Sequence, residues 1–111
     1  MKNRTKNYPL YETTVFEDFR IMTENVAKKY PDRIAYSFKE NPHKKEVTRK
    51  TFKETREHII SMGTGLVAEG VREKHVAIVG EASYNWVTAY YACMSIGAVT
   101  VPIDKELPAD D

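Results

Sequence analysis

The most suggestive spacing in the sequence is that of two glycines. Gly63-Thr64-Gly65-Leu66-Val67-Ala68 matches the dinucleotide-binding pattern G-x-G-x-x-G/A. In that chemistry the glycines follow a strand and open a helix, so that backbone amides reach a pyrophosphate. Here the pattern lies inside a stripe of apolar residues with helical spacing, where the motif loses its structural context. A glycine within a helix costs about 1 kcal/mol relative to alanine, which favours a close packing contact over a cofactor site.

Gly80 and Asp104 each follow a predicted strand, where α/β proteins often bind ligands. Gly80 lacks the further glycine and the lysine of a phosphate-binding loop, so we interpret it as part of a plain tight turn. A carboxylate such as Asp104 is chemically able to hold a cation, but the sequence places no second acidic group directly beside it. A loop carboxylate is the preferred interpretation.

The three histidines, His43, His58 and His75, are scattered without the short spacing to acidic residues that a metal site requires. We interpret them as a solvated turn residue, a helix-flank residue and the first residue of a strand. Cys93 lies in an apolar helix, which favours a buried structural thiol over a nucleophile in an electropositive, partly open setting. As the only cysteine, it also excludes an internal disulfide framework.

Basic residues cluster around a predicted turn, at His43-Lys44-Lys45 and Arg49-Lys50. Because interleaved aromatic residues for base stacking are missing there, a solvated hairpin is favoured over an RNA site. Over all 111 residues, 17 basic residues nearly cancel 16 acidic ones. A net charge of +1 provides no long-range attraction to nucleic acid, and we expect no such partner. We therefore assign no catalytic, cofactor-binding or metal-binding residue.

The elements that would position these groups begin after an N-terminal arm, predicted over residues 1–13. Thr14 and Glu17 have the spacing of a capping box and predict the start of a helix. Pro31-Asp32 ends that helix. Its apolar face recurs at steps of three and four residues, at Phe16, Phe19, Met22, Val26 and Tyr30.

A short hairpin is predicted next. Ile34–Phe38 alternates like a half-buried strand, and Asn41-Pro42 marks a turn. Residues 46–48 are predicted to return as a short antiparallel partner. A second capping box at Thr51 and Glu54 then opens a helix that ends before Gly70, a residue suited to the left-handed backbone after a helix end.

The last part of the chain predicts a βαβ unit. His75–Val79 is a nearly continuous apolar run, typical of a strand covered on both faces. Ser83 is a candidate N-cap for a helix over residues 84–96, which is apolar on several sides and ends at Gly97. Residues 98–103 predict a second strand, parallel to the first. The expected fold class is α/β, with about three helices, a short hairpin and a parallel βαβ unit.

Several segments occur in an ordered, specific series along the chain: Phe16-Glu17-Asp18-Phe19, Tyr30-Pro31-Asp32-Arg33-Ile34-Ala35, Thr51-Phe52-Lys53-Glu54, Gly65-Leu66-Val67-Ala68-Glu69-Gly70-Val71, Val76-Ala77-Ile78-Val79-Gly80-Glu81, Trp86-Val87-Thr88-Ala89-Tyr90-Tyr91-Ala92, Gly97-Ala98-Val99-Thr100-Val101-Pro102-Ile103-Asp104 and Leu107-Pro108. In order and spacing they resemble the N-terminal part of AMP-forming adenylating enzymes, and most of all acyl-CoA synthetases of the long-chain fatty acid type. The resemblance covers about residues 10–111. One departure is Glu73-Lys74-His75, where the family often has Gly-Asp before its first core strand.

The resemblance implies a two-step ligase. Such an enzyme joins a carboxylate to ATP with magnesium, giving an acyl-adenylate and pyrophosphate, and then passes the acyl group to coenzyme A. Residues 14–111 would be an incomplete N-terminal α/β subdomain of its large domain. The family's phosphate loop and its other catalytic motifs have no match here and would lie downstream of Asp111. We therefore expect this piece to be inactive alone and to pack against the missing downstream portion.

An alternative from another class stays open, namely a complete, small, non-catalytic α/β interaction module covered by a second copy. In either case exposed strand edges and apolar surface predict self-association. No stretch approaches the roughly 20 apolar residues of a membrane span, so no transmembrane segment is expected. The expected location is cytoplasmic, with peripheral membrane contact left open for a full-length enzyme.

Overall fold

The computed structural model describes residues 11–110. Within them, three helices accompany an antiparallel and a parallel pair of strands, which confirms the predicted α/β class with a hairpin and a βαβ unit. The predicted arm over residues 1–13 lies outside the described residues except for its last three, which carry no regular secondary structure. In chain order the elements are α1 (Phe19–Lys29), β1 (Ile34–Phe38), β2 (Thr48–Thr51), α2 (Phe52–Ala68), β3 (His75–Val79), α3 (Tyr84–Ser95) and β4 (Val99–Ile103).

Helix α1 begins later than predicted, and the capping box proposed for Thr14 and Glu17 is wrong. Asp18 is the N-cap, with extended backbone, and its Oδ1 accepts a hydrogen bond of 2.8 Å from the Ile21 amide. Aspartate is among the strongest N-cap residues, because its short carboxylate satisfies an otherwise unpaired amide in the first turn. The capping-box spacing at Thr14 is therefore coincidental.

The hairpin pairs β1 with β2, but β2 starts at Thr48 instead of occupying residues 46–48 as predicted. Its register runs from Phe38 opposite Thr48 to Ile34 opposite Thr51, with an irregularity between Ile34 and Tyr36. The connecting loop therefore takes up more residues than expected, and within it Oδ1 of Asn41 accepts a hydrogen bond of 3.0 Å from the His43 amide.

Thr51 links the hairpin to α2, and the second capping box is confirmed. The Thr51 hydroxyl accepts from the Glu54 amide and the Glu54 carboxylate accepts from the Thr51 amide, each at 3.1 Å. The helix ends as predicted before Gly70, which has φ +77°. The Val71 amide donates to the Leu66 carbonyl and the Gly70 amide to that of Val67, which is the hydrogen-bond pattern of a Schellman motif.

The βαβ unit forms as predicted, with β3 and β4 parallel from His75 opposite Val99 to Val79 opposite Ile103. Ser83 caps α3 by accepting from the Trp86 amide at 3.1 Å. Strand β4 begins one residue later than predicted, because the Ala98 amide donates to the Cys93 carbonyl at 3.0 Å and completes the end of α3.

Only one face of the parallel pair is covered within residues 11–110, where the sequence predicted cover on both. Helix α3 packs against β3 and β4. On the opposite face the side chains of Val79, Val99 and Val101 are 61%, 47% and 36% exposed. We call this surface the valine face.

The core lies where α2 meets α3. Four hydrophobic residues are buried among those the structure describes, namely Ile59, Ala92, Cys93 and Ala98. The buried Thr55 and Thr88 satisfy their hydroxyls within their own helices, by donating to the carbonyls of Thr51 and Tyr84 at 2.8 and 3.0 Å. Both of these hydroxyls are therefore paired, whereas Oγ1 of Thr100 on β4 is buried without a hydrogen-bond partner among the described residues.

Candidate functional site

The glycines of the dinucleotide-like pattern lie within α2, far from any strand-to-helix turn, and a pyrophosphate cannot reach their amides there. Gly63 is buried, and a Cβ atom added to it would lie 3.3 Å from Cγ2 of Ile96. The predicted close packing contact is therefore confirmed at Gly63. It is wrong at Gly65, where no heavy atom lies within 4 Å of the same position.

This difference makes a matched pair of stability predictions. Gly65→Ala is expected to raise the free energy of unfolding by about 0.5–1 kcal/mol, since alanine is the better helix former and meets open space. Gly63→Ala gains the same helix propensity, but its added methyl group would crowd Ile96. Its free energy of unfolding should therefore rise less than that of Gly65→Ala, or fall. Urea unfolding followed by circular dichroism measures both. A Gly63→Ala variant more stable than Gly65→Ala would contradict the packing argument.

A histidine–tyrosine cluster, which sequence reasoning missed, joins the hairpin to α2 and α3. Nδ1 of His58 lies 2.5 Å from the Tyr84 hydroxyl. The Tyr84 ring stacks on Phe38 with centroids 5.2 Å apart and meets Tyr36 edge-on at 5.6 Å. The interpretation of His58 as a mere helix-flank residue is therefore incomplete, because its ring has a defined hydrogen-bond partner.

The raised pKa values of the two tyrosines indicate that this histidine–tyrosine cluster has a structural role and not a catalytic one. Burial raises the pKa of the Tyr84 phenol, a hydrogen bond with Thr55 acts against this, and the charge of Glu54 adds to it. Burial also raises the pKa of Tyr36, with smaller contributions from neighbouring tyrosines. Phenols with raised pKa values stay protonated at neutral pH and hold a hydrogen bond, so they are poor general bases.

The remaining nucleophilic and metal-ligating candidates are dispersed. Cys93 is buried in α3, and burial raises the pKa of its thiol, which is opposite to the activation a nucleophile requires. His43 lies exposed in the hairpin loop, and His75 begins β3 with an exposed side chain. Among residues 11–110, no group of three or more His, Cys, Asp and Glu side chains could hold a metal ion.

Polar side chains contact one another and the backbone in the loops that follow β3 and β4. Lys105 Nζ lies 2.7 Å from Oε1 of Glu81, and this hydrogen bond and charge lower the pKa of that carboxyl. Asp104 accepts a hydrogen bond of 2.9 Å from the Glu106 amide, as a loop carboxylate would. Gly80 lies in the turn between β3 and Glu81. This edge thus holds an exposed ion pair and a loop carboxylate that is already hydrogen-bonded.

The basic residues of the hairpin do not form one patch. Arg49 and Lys50 are neighbours on β2, so their side chains point to opposite faces of the strand. Lys44 and Lys45 are exposed in the loop. In the part of the chain that the structure describes, no helix combines the length and the apolar character needed to cross a membrane.

Comparison with known proteins gives a family and a fold. A family model described as "AMP-binding enzyme" matches residues 23–111. No curated protein matches the chain. The N-terminal subdomain of NpsA from Klebsiella oxytoca superimposes with a TM-score of 0.74 and 24% identity, over 86% of this chain and 23% of that one.

Two further solved structures share the fold. A fatty acid AMP ligase from Legionella pneumophila has a TM-score of 0.69 at 17% identity, covering 84% of this chain and 16% of the ligase. The N-terminal domain of FACL13 from Mycobacterium tuberculosis has a TM-score of 0.70 at 22% identity, covering 86% and 23%. The chain thus spans less than a quarter of the length of each of these three structures.

Proposed function

Because the chain belongs to the AMP-binding enzyme family, we propose that it is the structural N-terminal part of an ATP-dependent acyl-CoA ligase. The complete enzyme would activate a fatty acid as its acyl-adenylate, releasing pyrophosphate, and then transfer the acyl group to coenzyme A. The described residues would contribute the beginning of a sheet and its covering helices, and no catalytic group.

The observation that carries this proposal is the open valine face. A parallel pair of strands is ordinarily covered on both sides, since its apolar side chains alternate between them. Here α3 covers one side, and the other exposes three valines by 36–61%. A longer polypeptide that continues the sheet and adds helices would cover this face, in keeping with the small share of the NpsA and FACL13 chains that this one spans.

Fatty acid as the substrate class is supported by the sequence resemblance and by the fold shared with the fatty acid AMP ligase from Legionella pneumophila. The N-terminal subdomain of NpsA was also solved with an anthranilyl compound, so aryl acids are the competing class. Coenzyme A as the acceptor rests on the resemblance to acyl-CoA synthetases. A cytoplasmic location, with peripheral membrane contact in the longer enzyme, is part of the same proposal.

The described residues do not fit ATP, magnesium or coenzyme A. The glycines that would have to approach a pyrophosphate lie within α2, and Gly63 is packed against Ile96. The carboxylates at the end of the parallel pair are held by Lys105 and by a backbone amide. We therefore derive no catalytic step from this chain, and place substrate binding in the downstream part of the proposed enzyme.

The proposal predicts two results for ATP–pyrophosphate exchange. The 111-residue chain should show only background exchange, because the family's phosphate loop and its other catalytic motifs, which would stabilise the charge on the reacting phosphate, have no match in it. A longer polypeptide read from the same gene should exchange in the presence of a long-chain fatty acid and much less with anthranilate. Exchange by the short chain would contradict the proposed structural role, and a preference for anthranilate would contradict the substrate class.

The alternative of a complete, non-catalytic interaction module draws on the same valine face, which a second copy could cover. The coding sequence separates the two hypotheses. A natural stop codon directly after Asp111 would favour the module, and a reading frame that continues into a Ser/Thr/Gly-rich loop would favour the ligase.

A further inference from the structure

An open groove of about 330 Å³ lies between α1, α2 and the end of α3. Three arginines from three segments line it: Arg20 on α1, Arg56 on α2 and Arg72 in the loop that follows α2. Glu24 is the one carboxylate among the lining residues. Although the net charge of the chain is only +1, positive charge is thus concentrated in this groove.

The arginines differ in their partners. Arg56 is the best buried, with a side chain 17% exposed, and its Nη2 lies 2.6 Å from Oε1 of Glu24. Arg20 and Arg72 are exposed, and neither has a carboxylate partner within 4 Å among residues 11–110. Two guanidinium groups therefore remain available to an incoming anion, in addition to the Arg56–Glu24 pair that is already neutralised.

The same groove has an apolar strip along α2. Ile60 and Val67 are 48% and 38% exposed, and Thr64 lies between them at helical spacing. The Thr64 hydroxyl donates to the Ile60 carbonyl at 2.8 Å, so it is already satisfied within α2. The groove thus combines aliphatic surface with two available cations.

We propose that this groove binds an acidic, amphipathic helix of a partner protein. Apolar side chains of that helix would lie on Ile60 and Val67, in the i, i+4, i+7 manner of helix-in-groove recognition. Its carboxylates would pair with Arg20 and Arg72, whose planar guanidinium groups bind carboxylates through two hydrogen bonds. The lining of the groove includes none of the three valines of the valine face, and the proposal does not depend on the ligase function.

Two synthetic helical peptides, each about four turns long, provide the test. One carries leucines at i, i+4 and i+7 flanked by glutamates, and the other has glutamine at every glutamate position. Fluorescence anisotropy with the complete chain should show the glutamate peptide binding at least about tenfold more tightly, and less tightly as salt is raised. Equal binding of the two peptides would overturn the proposal.

Variants of the chain locate the site. The double variant Arg20→Gln and Arg72→Gln should weaken binding of the glutamate peptide by about tenfold or more. Lys44→Gln with Lys45→Gln removes the same charge from the hairpin loop and should leave affinity within about twofold. Circular dichroism verifies that both variants are folded.

Two results would contradict the assignment. If the arginine variant and the lysine variant lose affinity equally, the attraction is general and the groove is not the site. If phosphatidylglycerol vesicles, but not the glutamate peptide, bind in a manner that requires Arg20 and Arg72, the groove recognises a membrane surface and the protein partner is wrong.

Discussion

Ile59→Ala is expected to lower the free energy of unfolding by about 2–5 kcal/mol. Ile59 is 2% exposed and is among the largest fully buried side chains of the described residues. It borders a cavity of about 90 Å³ whose other walls include Met22, Val26, Tyr36 and Tyr91. Truncation would enlarge this cavity, and the cost of such a substitution rises with the volume left empty. A loss of this size is a large share of the 5–15 kcal/mol typical of a folded domain.

The neighbouring Ile60→Ala is the matched control, because it removes the same atoms from a side chain that is 48% exposed. We expect it to cost less than about 1 kcal/mol. Urea unfolding of both variants, with the m-value compared to that of the parent, measures the difference. If the two variants were equally stable, Ile59 would not be the centre of the core.

Local signals in the sequence predicted the helix ends well. The structure has the predicted N-caps at Thr51, which forms a capping box with Glu54, and at Ser83. The helix ends are followed, as predicted, by Gly70 and Gly97 with positive φ. Each of these caps is decided by hydrogen bonds between residues no more than five positions apart in the chain, from a side chain to the backbone at Thr51 and Ser83 and within the backbone at the two glycines. The prediction of a helix start at Thr14 is wrong because Asp18 is the N-cap and accepts the hydrogen bond of the Ile21 amide.

The sequence did not predict contacts between residues that are far apart along the chain. His58 and Tyr84 are 26 residues apart, and only the packing of α2 beside α3 brings them together. Likewise, both glycines of α2 fit one helical stripe, yet only Gly63 faces Ile96. The periodicity gives a residue's face on its own helix, but the neighbour on that face depends on the tertiary arrangement.

The sequence predicted the family of the protein, but it did not predict every feature that bears on function. The motifs considered individually indicated no chemistry, and the ordered series of segments indicated the adenylating enzymes, a family that the match over residues 23–111 confirms. The long-chain fatty acid type and coenzyme A stay proposals, because the family match and the shared fold identify neither an acyl chain nor an acceptor thiol. The arginine groove was missed entirely, since Arg20, Arg56 and Arg72 are brought together only by folding.

The valine face is expected to drive self-association of the 111-residue chain. Val79, Val99 and Val101 project from the same side of the parallel pair, because side chains alternate along each strand and the two strands are in register. Fully burying a valine contributes roughly 1.5–3 kcal/mol, and these three side chains are only partly buried. Association with a second copy through this face would therefore be stabilised by further burial of all three valines.

Val99→Lys with Val101→Lys should convert the associated chain to a monomer, because two charges would have to be buried in the same interface. The control is Val15→Lys with Val67→Lys, which adds the same charges at exposed valines outside the parallel pair. Sedimentation velocity over a range of concentrations measures the assembly. A parent chain that is monomeric throughout, or a face variant that assembles like the control, would contradict the prediction. In a longer polypeptide whose own residues cover the face, the Val99 and Val101 substitutions should instead lower stability without changing the oligomeric state.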